Sequence, residues 1–209
     1  MAAIDTASLF ADVEPASSRR LLQAALDAFA ARGYRATTTR DIAQRAGLSP
    51  AGVYVHFGSK ADLLGAISRV GHDAILRLSE QAIAQGQDPA DRLSRFVRTF
   101  AAWHAAHHGV ARVIQYELRE LTPTAFEEAR ERRRRFDQIV QAELRRGNET
   151  GVFAVGDVGG TALAILSLCI DVARWYGAAS RRSPAAIGDL YADLVLRMVR
   201  SDGELGKDA

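Results

Sequence analysis

Apolar residues recur at intervals of three and four along nearly the whole chain, and few stretches alternate in the manner of a strand, so the pattern predicts helices. Leu22, Ala25, Leu26 and Phe29 mark a first helix over residues 18–32, closed by Gly33. Thr38 followed by Asp41 is a variant capping box for a second helix that runs to Ala46 with Ile42, Ala43 and Ala46 inside. Ser49 caps a third, very short helix that has Pro50 in its first position and extends to about Phe57. Ser59 then caps a long fourth helix whose inner face is Leu63, Leu64, Ile67, Val70, Ala74, Ile75 and Leu78 and which reaches towards Gln85. Further helices are predicted over 90–107, 110–121, 124–146, 157–179 and 184–200, punctuated by Gly109, Gly147, Gly151 and Gly156. The fold class is therefore all-α, with about nine helices and no internal repeat.

Composition bounds this picture. A chain of 209 residues with 48% hydrophobic content can bury a real core. The single cysteine, Cys169, excludes an intramolecular disulfide, and the opening Met-Ala-Ala-Ile-Asp-Thr lacks the basic-then-apolar pattern of a signal peptide, so the cytoplasm is expected. The longest apolar run, residues 158–170, falls short of the roughly 20 residues that cross a bilayer and is expected to be a buried helix without membrane contact. Charge is uneven: residues 19–60 hold seven basic side chains against two acidic ones, a local +5 in a chain whose total is +2. A basic segment on an otherwise acidic remainder points to a polyanion partner at that end.

Residues 38–57 meet the demands of a helix-turn-helix. Ala43 and Ala46 are small where two helices must approach, Gly47 tolerates the turn, and Ser49-Pro50 opens a second helix able to enter a major groove. The N-termini at Thr38 and Ser49 also offer free N–H groups to phosphates. Thr38-Thr39-Arg40-Asp41-Ile42-Ala43, Ala46-Gly47-Leu48-Ser49 and Val53-Tyr54-Val55-His56-Phe57-Gly58-Ser59-Lys60-Ala61-Asp62-Leu63-Leu64 resemble the N-terminal signature of the TetR family over residues 19–64. The resemblance implies a DNA-binding transcriptional regulator, most simply a ligand-released repressor acting as a homodimer on a near-palindromic operator of double-stranded DNA. It places Tyr54, His56 and Lys60 against the DNA backbone and Arg40, Pro50, Ala51, Gly52 and Val55 among the base readers, with Thr38, Thr39 and Ser49 at the helix starts also expected to bind DNA. Arg40 can pair bidentately with guanine, whereas Ala51 and Val55 offer only apolar contact, so this reading face is poor in donors and leaves room for shape readout.

Other chemistry is sparse. His104, His107 and His108 have no carboxylate in their local pattern and read as solvated or core-edge histidines, not a metal site. Arg130, Arg132, Arg133, Arg134 and Arg135 alternate with Glu127, Glu128 and Glu131 at ion-pair spacing and read as a solvated helix face. The Gly-rich stretch 156–161 lacks the lysine of a phosphate loop, and Cys169 reads as a buried inert thiol. With no nucleophile-base pair, metal signature or cofactor loop, no enzyme and no cofactor are expected, and a cytoplasmic helical enzyme or binding protein is the remote alternative.

The C-terminal part resembles the ligand-binding half of the same family in helix count, in Pro184 opening the last helix and in two long apolar helices at the end. That resemblance implies that the last two helices pair with their mates in a homodimer, through Leu163, Leu166, Ile170, Leu190, Leu194 and Met198, with Ile165, Trp175, Ile187 and Tyr191 beside them. Residues 116–121, 151–153 and 174–176 are similar to the branch that senses fatty acyl-CoA or sterol-derived CoA thioesters, which makes an acyl-CoA or similar hydrophobic molecule the expected effector. Trp103, Tyr116, Phe136 and Trp175 are candidates to line its cavity, and Arg119 or Arg174 to meet a phosphate. The alternative is an efflux-system repressor that responds to a hydrophobic drug. The expected organisation is a disordered arm over 1–18, a helix-turn-helix domain over 19–64 joined by the long fourth helix to a ligand-binding and dimerisation domain over 65–202, and a tail over 203–209.

Overall fold

The computed structural model describes residues 9–200. Among these, nine α-helices and one 3₁₀ turn follow in order: α1 (Ala16–Arg32), α2 (Thr39–Ala46), α3 (Pro50–Tyr54), α4 (Lys60–Ala84), α5 (Pro89–Ala106), α6 (His108–Tyr116), the turn Leu118–Glu120, α7 (Pro123–Glu149), α8 (Val158–Trp175) and α9 (Pro184–Val199). The only β pairing among the described residues is an isolated bridge between Phe153 and Arg200. The chain divides into two compact units, one of residues up to Ala74 with His107–Arg132, the other of Ile75–Ala106 with residues from Arg133 onward.

The first unit holds α1, α2, α3, the opening of α4, α6, the 3₁₀ turn and the opening of α7. Its core is Leu21, Leu22, Ala25, Phe29, Ile42, Val53, Leu63, Leu64, Ile67 and Val110. The Tyr34 ring packs 5.2 Å from that of Phe29. Gly47 takes a left-handed conformation (φ +67°), which lets its N–H return to the carbonyls of Ala43 and Gln44 and turns the chain from α2 into α3. Phe10 is fully buried and α1 begins at Ala16, so the arm expected over 1–18 is anchored at Phe10 and helical from Ala16, because a phenylalanine gains more by burial than a free chain end gains in entropy. Residues 1–8 of that arm, and the tail expected over 203–209, lie outside the described residues.

The second unit packs α5 against α8 and, most closely, against α9. Phe100 stacks on Phe96 at 5.2 Å between ring centres and meets Phe136 edge-to-face at 5.0 Å. At Gly188 a Cβ would overlap the Arg98 carbonyl oxygen and stand 3.1 Å from Ala102 Cβ, so only glycine lets α9 approach α5 this closely. The buried Glu143 carboxylate accepts two hydrogen bonds from Arg92 (2.9 and 3.1 Å) and one from Arg146 at 2.6 Å, which satisfies a charge that burial alone would not tolerate.

Several boundaries differ from the expected ones for local reasons. The helix over 124–146 continues to Glu149, since Gly147 is not a terminator: the Phe153 ring lies against its Cα, and the chain turns instead at Gly151 (φ +74°). The third helix ends at Tyr54 and not near Phe57. The helix over 110–121 stops at Tyr116, because Glu117 leaves helical geometry before the 3₁₀ turn. The helix over 157–179 stops at Trp175, where Tyr176 turns extended and its hydroxyl donates to the Arg182 carbonyl. That helix is also not the buried one expected. Only 33% of it is buried, and it is the one described helix apolar and long enough to match a short membrane span. Ile165, Cys169 and Val172 fill the core while Leu163, Leu168 and Trp175 face outward.

Candidate nucleic-acid interface

The reading head is built by its caps. The Thr38 hydroxyl accepts from the Asp41 N–H at 3.1 Å and the Asp41 carboxylate accepts from the Thr38 N–H at 3.0 Å, a reciprocal capping box that fixes the start of α2. These contacts, the Thr38 amide first, then its hydroxyl and the Arg32 guanidinium, hold the Asp41 carboxyl below the usual aspartate range. The Ser49 hydroxyl accepts from the Gly52 N–H at 3.1 Å, and Pro50 occupies the first turn of α3. Ala51, Tyr54 and Val55 face outward, with Tyr54 57% and Val55 77% exposed, while Val53 alone of α3 is buried. An exposed aromatic at the end of a five-residue helix, with an exposed aliphatic residue just after it, is poorly placed for folding and well placed for contact with a partner.

Thr39 and Tyr54 bring their hydroxyls within 3.3 Å of each other, so the first residue of α2 and the last of α3 form one surface. Arg40, next to Thr39 in sequence, is exposed, and so are Arg20 and Arg45. Gly52 and His56 are half-buried, and Thr38, Ser49 and Pro50 are exposed.

Lys60 is held by the protein's own backbone. Its ammonium donates to the carbonyls of Tyr34 and Thr37, both at 2.8 Å, and lies 4.1 Å from the centre of the Tyr34 ring. Two of its three N–H donors are thus spent on the loop between α1 and α2. The sequence shows a lysine after a helix-capping serine but not the carbonyls that the fold brings to it from more than twenty residues away.

Trp103 and Phe136 are buried in the second unit; in the first unit Tyr116 is 58% exposed, with exposed Arg119 nearby in sequence. Trp175, 45% exposed, lines an apolar groove of about 490 Å³ with Leu168, Ile187, Leu190, Tyr191 and Leu194, edged by Arg181 and Arg182. Of the interface candidates on α8 and α9, Leu163, Leu194 and Met198 are exposed and Ile170 and Leu190 half-exposed. Leu166 is only 7% exposed and belongs to the core with Ile165 and Ile187. Leu168 also faces outward, and its spacing of seven from Trp175 is the signal in the sequence that it shares that face.

His104 is buried, not solvated, with its Nδ1 at 2.8 Å from the Phe100 carbonyl and its ring on Phe100 and Trp103. His107 is buried too, and that burial lowers its pKa. The arginine run is largely ion-paired as expected, Arg130 with Glu127 and Arg132 with Asp73 and Glu128, while Arg133 is half-buried.

An exposed, capped second helix after a glycine turn, carried by an all-helical chain, is the arrangement of helix-turn-helix transcriptional regulators. Residues 21–67 match the model of the bacterial regulatory proteins of the tetR family, and residues 86–199 match the tetracyclin repressor-like C-terminal domain. The transcriptional repressor KstR2 of Rhodococcus jostii is 32% identical over 190 residues, spanning 88% of this chain and 93% of that protein. A solved regulator of the tetR family from Rhodococcus RHA1 superposes with a TM-score of 0.85 at 39% identity, covering 90% of this chain and all of that one. AibR, solved with isovaleryl coenzyme A and operator DNA, shares the fold at a TM-score of 0.77 and 20% identity, over 88% of this chain and 98% of its own. The chain belongs to the TetR family of DNA-binding transcriptional regulators.

Proposed function

We propose that the protein is a cytoplasmic, homodimeric repressor that holds a near-palindromic operator through α2 and α3 and releases it when an acyl-CoA-like molecule binds the larger C-terminal part. The observation that carries the DNA half is the exposure of Tyr54, Val55 and Arg40 on a doubly capped helix-turn-helix. Thr38, Thr39, Ser49 and Tyr54 serve as backbone anchors, and Arg40, Pro50, Ala51, Gly52 and Val55 as base readers, with His56 at their edge. Residues 19–64 act as the reading domain and 65–202 as the sensing and dimerising one.

The dimer half rests on Leu163, Leu168, Trp175, Leu194 and Met198, which together give α8 and α9 an apolar outer face larger than an isolated subunit carries. A second copy covers that face symmetrically and sets two copies of α3 at inverted half-sites. Sedimentation tests it: Leu163→Arg with Leu194→Arg turns the dimer into a monomer, and a wild-type monomer at micromolar concentration contradicts it.

The effector class is supported by AibR, which holds a coenzyme A thioester on the same fold, and by the buried aromatics Trp103 and Phe136. An effector must favour the DNA-incompetent arrangement, and a coupling of about 1–3 kcal/mol weakens operator binding roughly 5- to 150-fold, with the operator weakening effector binding by the same factor. Titration of isovaleryl-CoA, oleoyl-CoA and a lipophilic cation against protein with and without DNA decides it. Release by a thioester supports the reading; release by the cation alone replaces it with an efflux-type regulator.

A further inference from the structure

Residues 33–37, the loop between α1 and α2, are gripped from two sides. Lys60 holds the carbonyls of Tyr34 and Thr37. On the other side the Tyr34 N–H donates to the Glu117 carboxylate at 3.1 Å, and Arg35 pairs with Glu120 at 2.8 Å. The Thr37 hydroxyl closes the loop by donating to the Gly33 carbonyl at 2.9 Å. The next residue is Thr38, the cap that fixes the first turn of α2 and with it Thr39 and Arg40.

The two acidic contacts are unequal. Arg35 is 87% exposed, and an exposed ion pair of this kind stabilises little. Glu117 instead binds a part-buried backbone N–H from 83 residues away, beside a Tyr34 that is only 8% exposed. An ionised acceptor makes the stronger kind of hydrogen bond, and an amide left without it would be costly. Glu117 also lies where the chain leaves α6 and enters the 3₁₀ turn, within the segment His107–Arg132 that belongs to the reading head's unit although its flanking residues belong to the other.

We propose that Glu117 is a positioning residue for DNA binding: the reach of its side chain to the Tyr34 amide sets the loop 33–37, and so the angle at which α2 offers Thr39 and Arg40. A shift of α6 or of the 3₁₀ turn moves that acceptor and is felt at the start of α2. The inference rests on the DNA-binding reading above.

Charge and reach act in opposite directions, which makes the test sharp. A carboxylate near a DNA-facing loop repels phosphates, so on charge alone Glu117→Gln tightens binding and Glu117→Asp leaves it unchanged. Positioning requires the reverse emphasis. Glu117→Gln keeps an acceptor oxygen at the same reach, while Glu117→Asp keeps the charge but withdraws the oxygen by one methylene, beyond hydrogen-bond distance. The probe is a duplex selected by the wild-type protein from randomised DNA, with affinity read by fluorescence anisotropy across a salt series and folding checked by circular dichroism. Glu117→Asp is expected to weaken binding about 3- to 10-fold, with an unchanged salt slope and faster hydrogen exchange at Tyr34, while Glu117→Gln binds at least as well as wild type. Wild-type affinity in Glu117→Asp, equal weakening in both variants, or a changed salt slope overturns the proposal. A wild-type protein that selects no DNA removes the DNA-binding reading and this inference together.

Discussion

Replacing Lys60 by methionine keeps the aliphatic stem and deletes the ammonium. If that ammonium is the tether seen here, the loss falls on the fold: two hydrogen bonds of 2.8 Å from a charged donor and a cation 4.1 Å from the Tyr34 ring centre disappear. Hydrogen bonds from charged donors contribute about 1.5–3 kcal/mol each and an exposed cation–π contact about 0.5–1. Water replaces part of the loss at a half-buried site, so a net cost of about 2–4 kcal/mol is expected, which in a chain of this size lowers the melting temperature on the order of 5–12 °C. A phosphate contact would leave a different mark. Removing one reduces the slope of log K against log salt by about 0.9 and leaves the melting temperature alone. Thermal denaturation and a salt series on the same variant therefore separate the two roles. An unchanged melting temperature in Lys60→Met, accompanied by the lower slope, would refute the tether.

Gly188→Ala forces α9 away from the Arg98 carbonyl and is expected to cost about 1–3 kcal/mol. A variant that melts at or above the wild-type temperature contradicts the close packing of α5 on α9. Burial pushes the Cys169 thiol up to about 12, so native protein at pH 8 should resist iodoacetamide while urea-unfolded protein reacts fully; rapid native labelling contradicts a buried thiol. The Asp41 carboxyl is depressed in the folded state, so its contribution is complete above the ordinary aspartate value and is lost as pH falls below that value through the folded one. Wild type should thus lose its advantage over Asp41→Asn on acidification below about pH 4, and parallel acid denaturation curves would count against the capping box.

What could be read from the sequence was local. Thr38 and Ser49 cap the helices they announce, because a cap is written within three residues of its target. The glycine turn at 47 and the apolar faces of α8 and α9 were equally plain. Contacts made at long range were not: the carbonyls that hold Lys60, the amide that Glu117 accepts and the ring that Phe153 lays on Gly147 are properties of the fold. The resemblance put Leu163 and Leu166 in one interface, yet residues three apart are offset by about 60° around a helix, and here the edge of the core falls between them.

The central claim is that two copies of this reading head recognise DNA symmetrically. Selection of duplexes from a randomised pool by the full-length protein, followed by footprinting of the winners, tests it most directly. The expected result is one enriched motif of two inverted half-sites, their centres about one helical turn or a multiple of it apart, with protection lost on adding salt. No enrichment, or a protected site without inverted symmetry, would contradict the account.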